Sequence, residues 1–163
     1  MIYFLSLGSN LGSRAKNLAA AVRFLRENGI EVLRASSVYE TEPVDRIDQP
    51  WFLNRVLQVR SALDPPALLG LAKSVEARMK RVPTAAKGPR TIDIDILFAD
   101  DLIVDLPDLA IPHPRLAQRN FVLVPLCEIA PEIRHPVLGK TVRELALSSS
   151  DPSQVIAQKR RRS

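Results

Sequence analysis

Cysteine is almost absent from this chain of 163 residues, where Cys127 stands alone. That excludes an intramolecular disulfide framework and any multi-thiolate zinc site. Cys127 closes the apolar run Phe121–Cys127, so its expected role is that of a small buried side chain. Aromatic residues are scarce at 5%, and each ring therefore carries individual weight. Long apolar runs are missing too, since nothing approaches the roughly 20 residues of a membrane span. The apolar start Met1–Leu7 has no basic leader and stops at Gly8-Ser9-Asn10. That is too early for a secretory segment, and a cytoplasmic protein is expected. Six glycines against thirteen prolines favour fixed turns over flexible linkers.

Acidic residues are outweighed, giving a net charge of +5, but the excess is local. Lys159, Arg160, Arg161 and Arg162 carry +4 of it and leave +1 for the remainder. Without a basic body, no nucleic-acid partner is expected. The length and the 46% apolar content suit one domain with a real core. We expect that domain at residues 1–150 and a basic, disordered tail at 151–163.

Periodicity then orders the chain. Ile2–Leu7 reads as a strand closed by the turn-forming Gly8-Ser9-Asn10. Leu18, Ala21, Val22 and Leu25 recur at helical spacing, with Ser13 as a candidate cap and Asn28-Gly29 as the stop. Ile30–Val38 predicts a second strand, Tyr39–Gln49 a loop, and Phe52–Val59 a third strand with Phe52 and Asn54 on one face. Asp64-Pro65-Pro66 opens a helix over about Ala67–Lys80, and Arg81–Pro89 reads as a polar loop. Thr91–Phe98 alternates as a strand, with Leu102–Asp105 as its expected hairpin partner. Phe121–Ile129 and Thr141–Leu147 complete the helices. The order βαββαβ predicts an α+β fold with a ferredoxin-like core, an antiparallel sheet flanked by helices in three α-β-α layers.

The sharpest chemical signal is Gly88-Pro89-Arg90-Thr91-Ile92-Asp93-Ile94-Asp95-Ile96. On a strand, Asp93 and Asp95 project to one face while Ile92, Ile94 and Ile96 anchor the other. Two carboxylates on a rigid base suit a hard cation such as Mg²⁺, with phosphate oxygens and waters completing its shell. A bare Asp-x-Asp is more simply a solvated strand face. Arg90 and the cations Arg78, Lys80, Arg81 and Lys87 tilt the reading toward metal-bound phosphate, because guanidinium forks match phosphate oxygens. Arg78 and Lys80 equally suit a helix C-terminus. His113, held between Pro112 and Pro114 with Arg119 six residues on, is open to either a structural or a functional role, whereas His135 is expected to be structural. Gly8-Ser9-Asn10-Leu11-Gly12 lacks the lysine ending of a phosphate loop and is explained as a tight turn.

Six segments together resemble one family. They are Gly8-Ser9-Asn10-Leu11-Gly12, Ser37-Val38-Tyr39-Glu40-Thr41-Glu42-Pro43, Asp48-Gln49-Pro50-Trp51-Phe52-Leu53-Asn54, Gly88–Ile96, Pro112-His113-Pro114 and Arg119-Asn120-Phe121. In this order they resemble the 6-hydroxymethyl-7,8-dihydropterin pyrophosphokinases of folate biosynthesis, over about residues 1–147. The resemblance implies transfer of pyrophosphate from ATP to the pterin hydroxymethyl oxygen, with AMP leaving. It implies two Mg²⁺ ions on Asp93 and Asp95, and Arg81, Arg90, His113 and Arg119 as phosphate-binding cations. Glu76 and Ile96 fall where the family contacts the nucleotide. The pterin would stack between Phe52 and Phe121, with Asn54 bonding the ring and Thr41, Pro43 and Val44 shaping the wall. Arg81, Arg90 and Asp95 are the expected catalytic residues.

Some positions depart from the family pattern. Ala86-Lys87 stands where many members carry Arg-Trp, and Pro83 where they carry a further arginine. Loop Arg81–Lys87 is a residue short beside some relatives, and Lys87 is expected to replace part of the missing charge in binding ATP. Phe52 stands where some members carry tyrosine. A monomer acting on small molecules, with no membrane partner, is expected. Two rival readings stand beside the resemblance: a metal-dependent phosphohydrolase or nucleotidyltransferase using the same acidic pair, and, from a different class, a ferredoxin-like RNA-binding module, against which the near-neutral body argues.

Overall fold

The computed structural model describes residues 1–44, 48–79 and 90–158. Its central strand β1 (Ile2–Ser9) is almost wholly buried, as its apolar composition requires. It pairs antiparallel with β4 (Phe52–Arg60) on one side and β5 (Asp93–Ala99) on the other. The far edge of β4 is shared by β2 (Glu31–Ala35) and β3 (Tyr39–Thr41), and β3 in turn pairs with β8 (Val155–Ala157). The sheet thus runs β5-β1-β4-β3-β8, with β2 beside β3. A separate hairpin joins β6 (Val104–Leu106) to β7 (Leu109–Ile111).

Each face of the sheet is covered by helices, so the three-layer α-β-α expectation holds. Helices α1 (Arg14–Glu27) and α2 (Pro65–Arg78) press Leu18, Ala21, Leu25, Leu68, Ala72 and Val75 onto Tyr3, Leu5, Leu7, Leu57, Ile94 and Ile96. On the other face, α3 (Asn120–Ile129) and α4 (Val142–Ser148) cover Phe4, Val56, Leu97 and Phe98 with Val122, Leu126, Ile129 and Leu145. Fully burying an aliphatic side chain of this size contributes about 1.5–3 kcal/mol. The second cover is partial, because it ends near Phe4 and Val56 and leaves the Gly8 end of the face open.

A bulge in β5 separates these two regions. Leu5 opposes Ile96 but Phe4 opposes Phe98, so Leu97 is an extra residue. A bulge puts two successive side chains on one face. Leu97 and Phe98 therefore both enter the second core, while Asp93 and Asp95 share that face further along.

Several expected boundaries are corrected. Tyr39–Thr41 is a strand rather than loop, and the second strand stops at Ala35 instead of Val38. Leu102–Asp105 does not return along β5: Val104–Leu106 pairs with β7. Helix α2 begins at Pro65, since Asp64 accepts the Ala67 N–H at 2.9 Å and proline is tolerated in a first turn. Ser13 occupies the N-cap of α1 without a side-chain cap bond. Residues 151–158 are ordered, because Val155–Ala157 gains backbone partners from β3; the basic residues 159–163 lie outside the described residues.

Helix α4 carries a capping box, in which the Thr141 hydroxyl accepts from Glu144 N and the Glu144 carboxylate accepts from Thr141 N. Thr141→Ala is expected to cost about 1 kcal/mol and to lower Tm by about 2–4 °C. A melting curve superimposable on the parent's would remove the cap from the stability of this end of the chain.

Candidate active site

The open end of the second sheet face is a cleft of about 400 Å³. Its floor is β1, which presents Ser6 and Gly8 there. Opposed residues point to the same face, so register alone aligns Asp93, Gly8 and Asn54 in a row across three strands. At strand spacing, that sets the backbones of Asp93 and Asn54 roughly 10 Å apart. Only the glycine lies between them.

The bank beyond β4 is built for a flat, partly polar ligand. Phe52, Thr41, Pro43 and Val44 line it, and Phe121 at the start of α3 lines the opposite wall. Asn54 is buried, and its Nδ2 donates to Thr41 Oγ1 at 2.5 Å. That bond fixes the amide with its second N–H and its Oδ1 still able to bond. Gly8 is required here, since a Cβ on it would lie 2.4 Å from Asn54 Oδ1.

The bank beyond β1 is acidic. Asp93 receives Arg90 Nη1 at 3.1 and 3.0 Å from its two oxygens. Asp95 is pushed up to about 6 by burial, then by the nearby Asp93 and Glu76 carboxylates, with Arg119 and Lys73 opposing. Crowded carboxylates whose charge is resisted in this way invite a cation. Among the described residues no group of three His, Cys, Asp or Glu side chains could hold a metal ion. The acid pair offers a partial shell, which suits Mg²⁺ because that ion keeps water and phosphate oxygens in its octahedron.

His113 and Arg119 close the end of the cleft. The His113 N–H donates at 3.0 Å to the carbonyl of Leu97, the bulge residue. Its Nδ1 accepts from Arg115 N at 3.2 Å, which leaves the proton of the neutral ring on Nε2. Burial, with Arg119 and Arg115 nearby and Asp93 opposing, pushes its pKa down to about 4. In the unliganded fold His113 therefore stands as a neutral N–H donor beside the two arginines. Arg119 lies over the Phe121 ring, 5.5 Å from its centroid.

The structure brings Thr41, Pro43, Val44, Phe52, Asn54, Arg90, Asp93, Asp95, His113, Arg119 and Phe121 into one cleft. It does not bring Glu76 or Ile96 there. Ile96 faces the first core because it alternates with Asp95, and Glu76 is buried on α2 with Oε2 accepting Ile94 N at 3.0 Å. Arg81 and Lys87 lie outside the described residues. Sequence reasoning missed Gly8 and Asn10 by reading their segment as a plain turn. Asn10 is buried, accepts Arg90 N at 2.7 Å and donates to Gln49 Oε1 and Pro50 O at 3.0 and 2.9 Å. A glycine ending an apolar strand was the available signal, since it marks close approach of another group.

An aromatic wall one strand away from an acid pair and fixed cations is an arrangement that suits phosphoryl transfer to a flat heterocycle. Comparison with known proteins makes this specific. The family model described as 7,8-dihydro-6-hydroxymethylpterin-pyrophosphokinase (HPPK) matches residues 4–131. The 2-amino-4-hydroxy-6-hydroxymethyldihydropteridine pyrophosphokinase of Methylorubrum extorquens is 44% identical over 153 residues, 93% of this chain and 95% of that protein. The chain belongs to this pyrophosphokinase family. The folic acid synthesis protein fol1 of Pneumocystis carinii is 42% identical over 85% of this chain. This chain spans 19% of that protein's length, and 20% of the fol1 of Schizosaccharomyces pombe. The Plasmodium falciparum HPPK-DHPS A437G crystal structure shares the fold, with a TM-score of 0.71 at 20% identity over 90% of this chain and 45% of that one.

Two outcomes follow from this geometry. Gly8→Ala is expected to cost about 1–3 kcal/mol by overpacking and to displace Asn54 from Thr41. NMR would then lose the protected Asn54 side-chain amide signals while circular dichroism keeps the sheet; an undisturbed amide would refute the close approach. The second outcome concerns pH. The fold holds the Asp95 proton more tightly than the unfolded chain does, so stability is greatest below the ordinary carboxylate range and falls as pH rises to about 6. Asp95→Asn removes this titration. With divalent cations chelated, its Tm should exceed the parent's at pH 8 and match it near pH 4, and equal Tm values at both would contradict the burial of charge.

Proposed function

We propose that this chain transfers the β,γ-diphosphate of ATP to the hydroxymethyl oxygen of 6-hydroxymethyl-7,8-dihydropterin, releasing AMP. The observation that carries the reading is the row Asp93–Gly8–Asn54, which sets a ring-binding wall beside an acidic, cation-flanked bank. Membership of the pyrophosphokinase family supports the same chemistry.

The pterin stacks between Phe52 and Phe121, where flat heteroaromatic faces gain from parallel or offset rings. Asn54, held by Thr41, bonds its polar edge, and Pro43 and Val44 exclude water from the remaining side. Arg90 and Arg119 grip phosphate oxygens bidentately, and His113 adds its Nε2–H as a neutral donor. Asp93 and Asp95 would hold two Mg²⁺ ions, which when bound neutralise phosphate charge and orient the triphosphate. Arg90, paired with Asp93 in the unliganded fold, would be free to turn toward phosphate if Asp93 held a cation instead. The pterin oxygen attacks the β-phosphorus, the bond from that phosphorus to the α-phosphate oxygen breaks, and the electron pair leaves with AMP. Alignment and charge neutralisation supply most of the catalysis. Asp95 also orients the attacking hydroxyl and takes its proton. Arg81 and Lys87 are assigned to the ATP phosphates by resemblance alone.

The assay supplies ATP, Mg²⁺ and the hydroxymethyl-pterin. AMP should form one-for-one with pterin diphosphate, and Asp95→Asn should lower kcat at least about 100-fold with the fold intact. ATP consumption independent of pterin would favour a phosphohydrolase instead. Near-parent turnover of Asp95→Asn at saturating Mg²⁺ would overturn the two-metal reading.

A further inference from the structure

The segment after α4 lies beyond the family match, which ends at residue 131, yet it touches both walls of the cleft. At its start, Asp151 Oδ2 accepts the Asn120 N–H at 2.9 Å and the Asp151 carbonyl accepts Asn120 Nδ2 at 2.9 Å. Asn120 opens α3 and sits between Arg119 and Phe121, both of which line the cleft. The N-cap residue Arg119 provides no side-chain cap of its own. Asp151 therefore supplies from a distance the acceptor and negative charge that a helix start needs.

Three residues later the same segment grips the other wall. The Glu42 N–H donates to Gln154 O at 3.1 Å, and the Gln154 N–H donates to Glu42 Oε1 at 2.7 Å. Glu42 lies between Thr41 and Pro43 and itself lines the cleft. Strand β8 then continues along β3, with Thr41 opposite Val155 and Tyr39 opposite Ala157. From Asp151 to Gln154 the chain can reach at most about 10 Å. Pro152 fixes one of the intervening φ angles, and Asp151 Oδ1 accepts Ser153 N at 2.9 Å.

We propose that residues 151–154 form a strap that sets the spacing of the two cleft walls, making Asp151 and the Gln154 backbone positioning groups for the flat-ring substrate. The proposal rests on the reading that the ring stacks between Phe52 and Phe121. A stacking slot works only at a narrow range of widths, and preorganising it lowers the ordering cost of binding. The far end of α3 is tied independently to β3, through Glu128 accepting from Tyr39 and Ser37. Cutting the strap thus loosens the cleft end of α3 while the helix stays anchored.

The test measures equilibrium binding of the hydroxymethyl-pterin by its fluorescence, with ATP binding and Tm alongside, in the full chain. Asp151→Ala and Gln154→Pro should each weaken pterin binding about tenfold. Gln154→Ala, which keeps the backbone bonds, should match the parent. Gln154→Pro acts on the wall away from Arg119, so its ATP affinity should stay within about twofold. Because one connection is cut in either case, the double variant should lose little more than one single does. A chain ended after Ser153, which keeps Asp151, serves in place of Gln154→Pro if that variant fails to fold. Parent-like pterin affinity in the strap variants, while Phe121→Ala weakens it, would overturn the strap alone. An additive loss of about a hundredfold in the double variant would mean two separate supports and would also overturn it. Parent-like affinity in Phe121→Ala and Phe52→Ala would sink the stacking reading, and the strap with it.

Discussion

The site depends on what β1 omits. A central strand buried on both faces would ordinarily carry large apolar side chains throughout, and one face of β1 does so with Tyr3, Leu5 and Leu7. Its other face falls from Phe4 through Ser6 to Gly8. Helices α3 and α4 can bury the Phe4 end because it fills the space between sheet and helix. At the Gly8 end nothing on β1 rises to meet a cover, so the face stays open as a trough with the strands beside it as banks. The fully packed first face stabilises the sheet that carries this exposed region.

Charge is arranged across that trough so that each bank is strained alone. Acids crowd on β5, and the carboxyl of Asp95 resists ionising. Cations crowd at the end wall, and His113 beside Arg119 and Arg115 resists protonation. A dication against the first bank and a polyphosphate against the second relieve both repulsions together. Either ligand alone would relieve one repulsion and add to the other, since the two banks feel each other's charge, so binding energy grows when both are present. On the proposed reading, this arrangement would suit a metal-bound triphosphate better than free nucleotide.

The parts of this design that were legible in the sequence are those set by strict alternation. Ile92, Ile94 and Ile96 against Asp93 and Asp95 identified β5 and its acidic face, and Phe52 with Asn54 identified the face of β4 that lines the cleft. The same alternation rule turns the Ile96 side chain into the first core, away from the cleft. Gly8 and Asn10 were hidden because glycine and asparagine have an adequate local explanation as turn residues; their real constraint, Asn54 at one and Arg90 with Gln49 at the other, is long-range. Strand β8 was illegible for a related reason. Val155–Ala157 is too short to announce itself and owes its conformation to β3, while the neighbouring basic run suggested solvation.

The bulge at Leu97 joins fold and chemistry most tightly. Were β5 paired regularly, Leu97 would stand opposite Phe4 and Phe98 would face the α1–α2 side, and the second core would lose the ring that meets Phe4 edge-on, 6.3 Å between centroids. With the bulge, β5 divides into a half that holds acids and a half that holds core. The interruption frees the Leu97 carbonyl for the His113 N–H, which fixes the end wall relative to the acid pair. Side chains before the bulge can therefore change charge without disturbing packing, because Ile94 and Ile96 anchor that half from behind. Side chains after it cannot change without loosening α3, and with it Arg119 and Phe121. One inserted residue lets a single strand serve stability at one end and phosphate chemistry at the other.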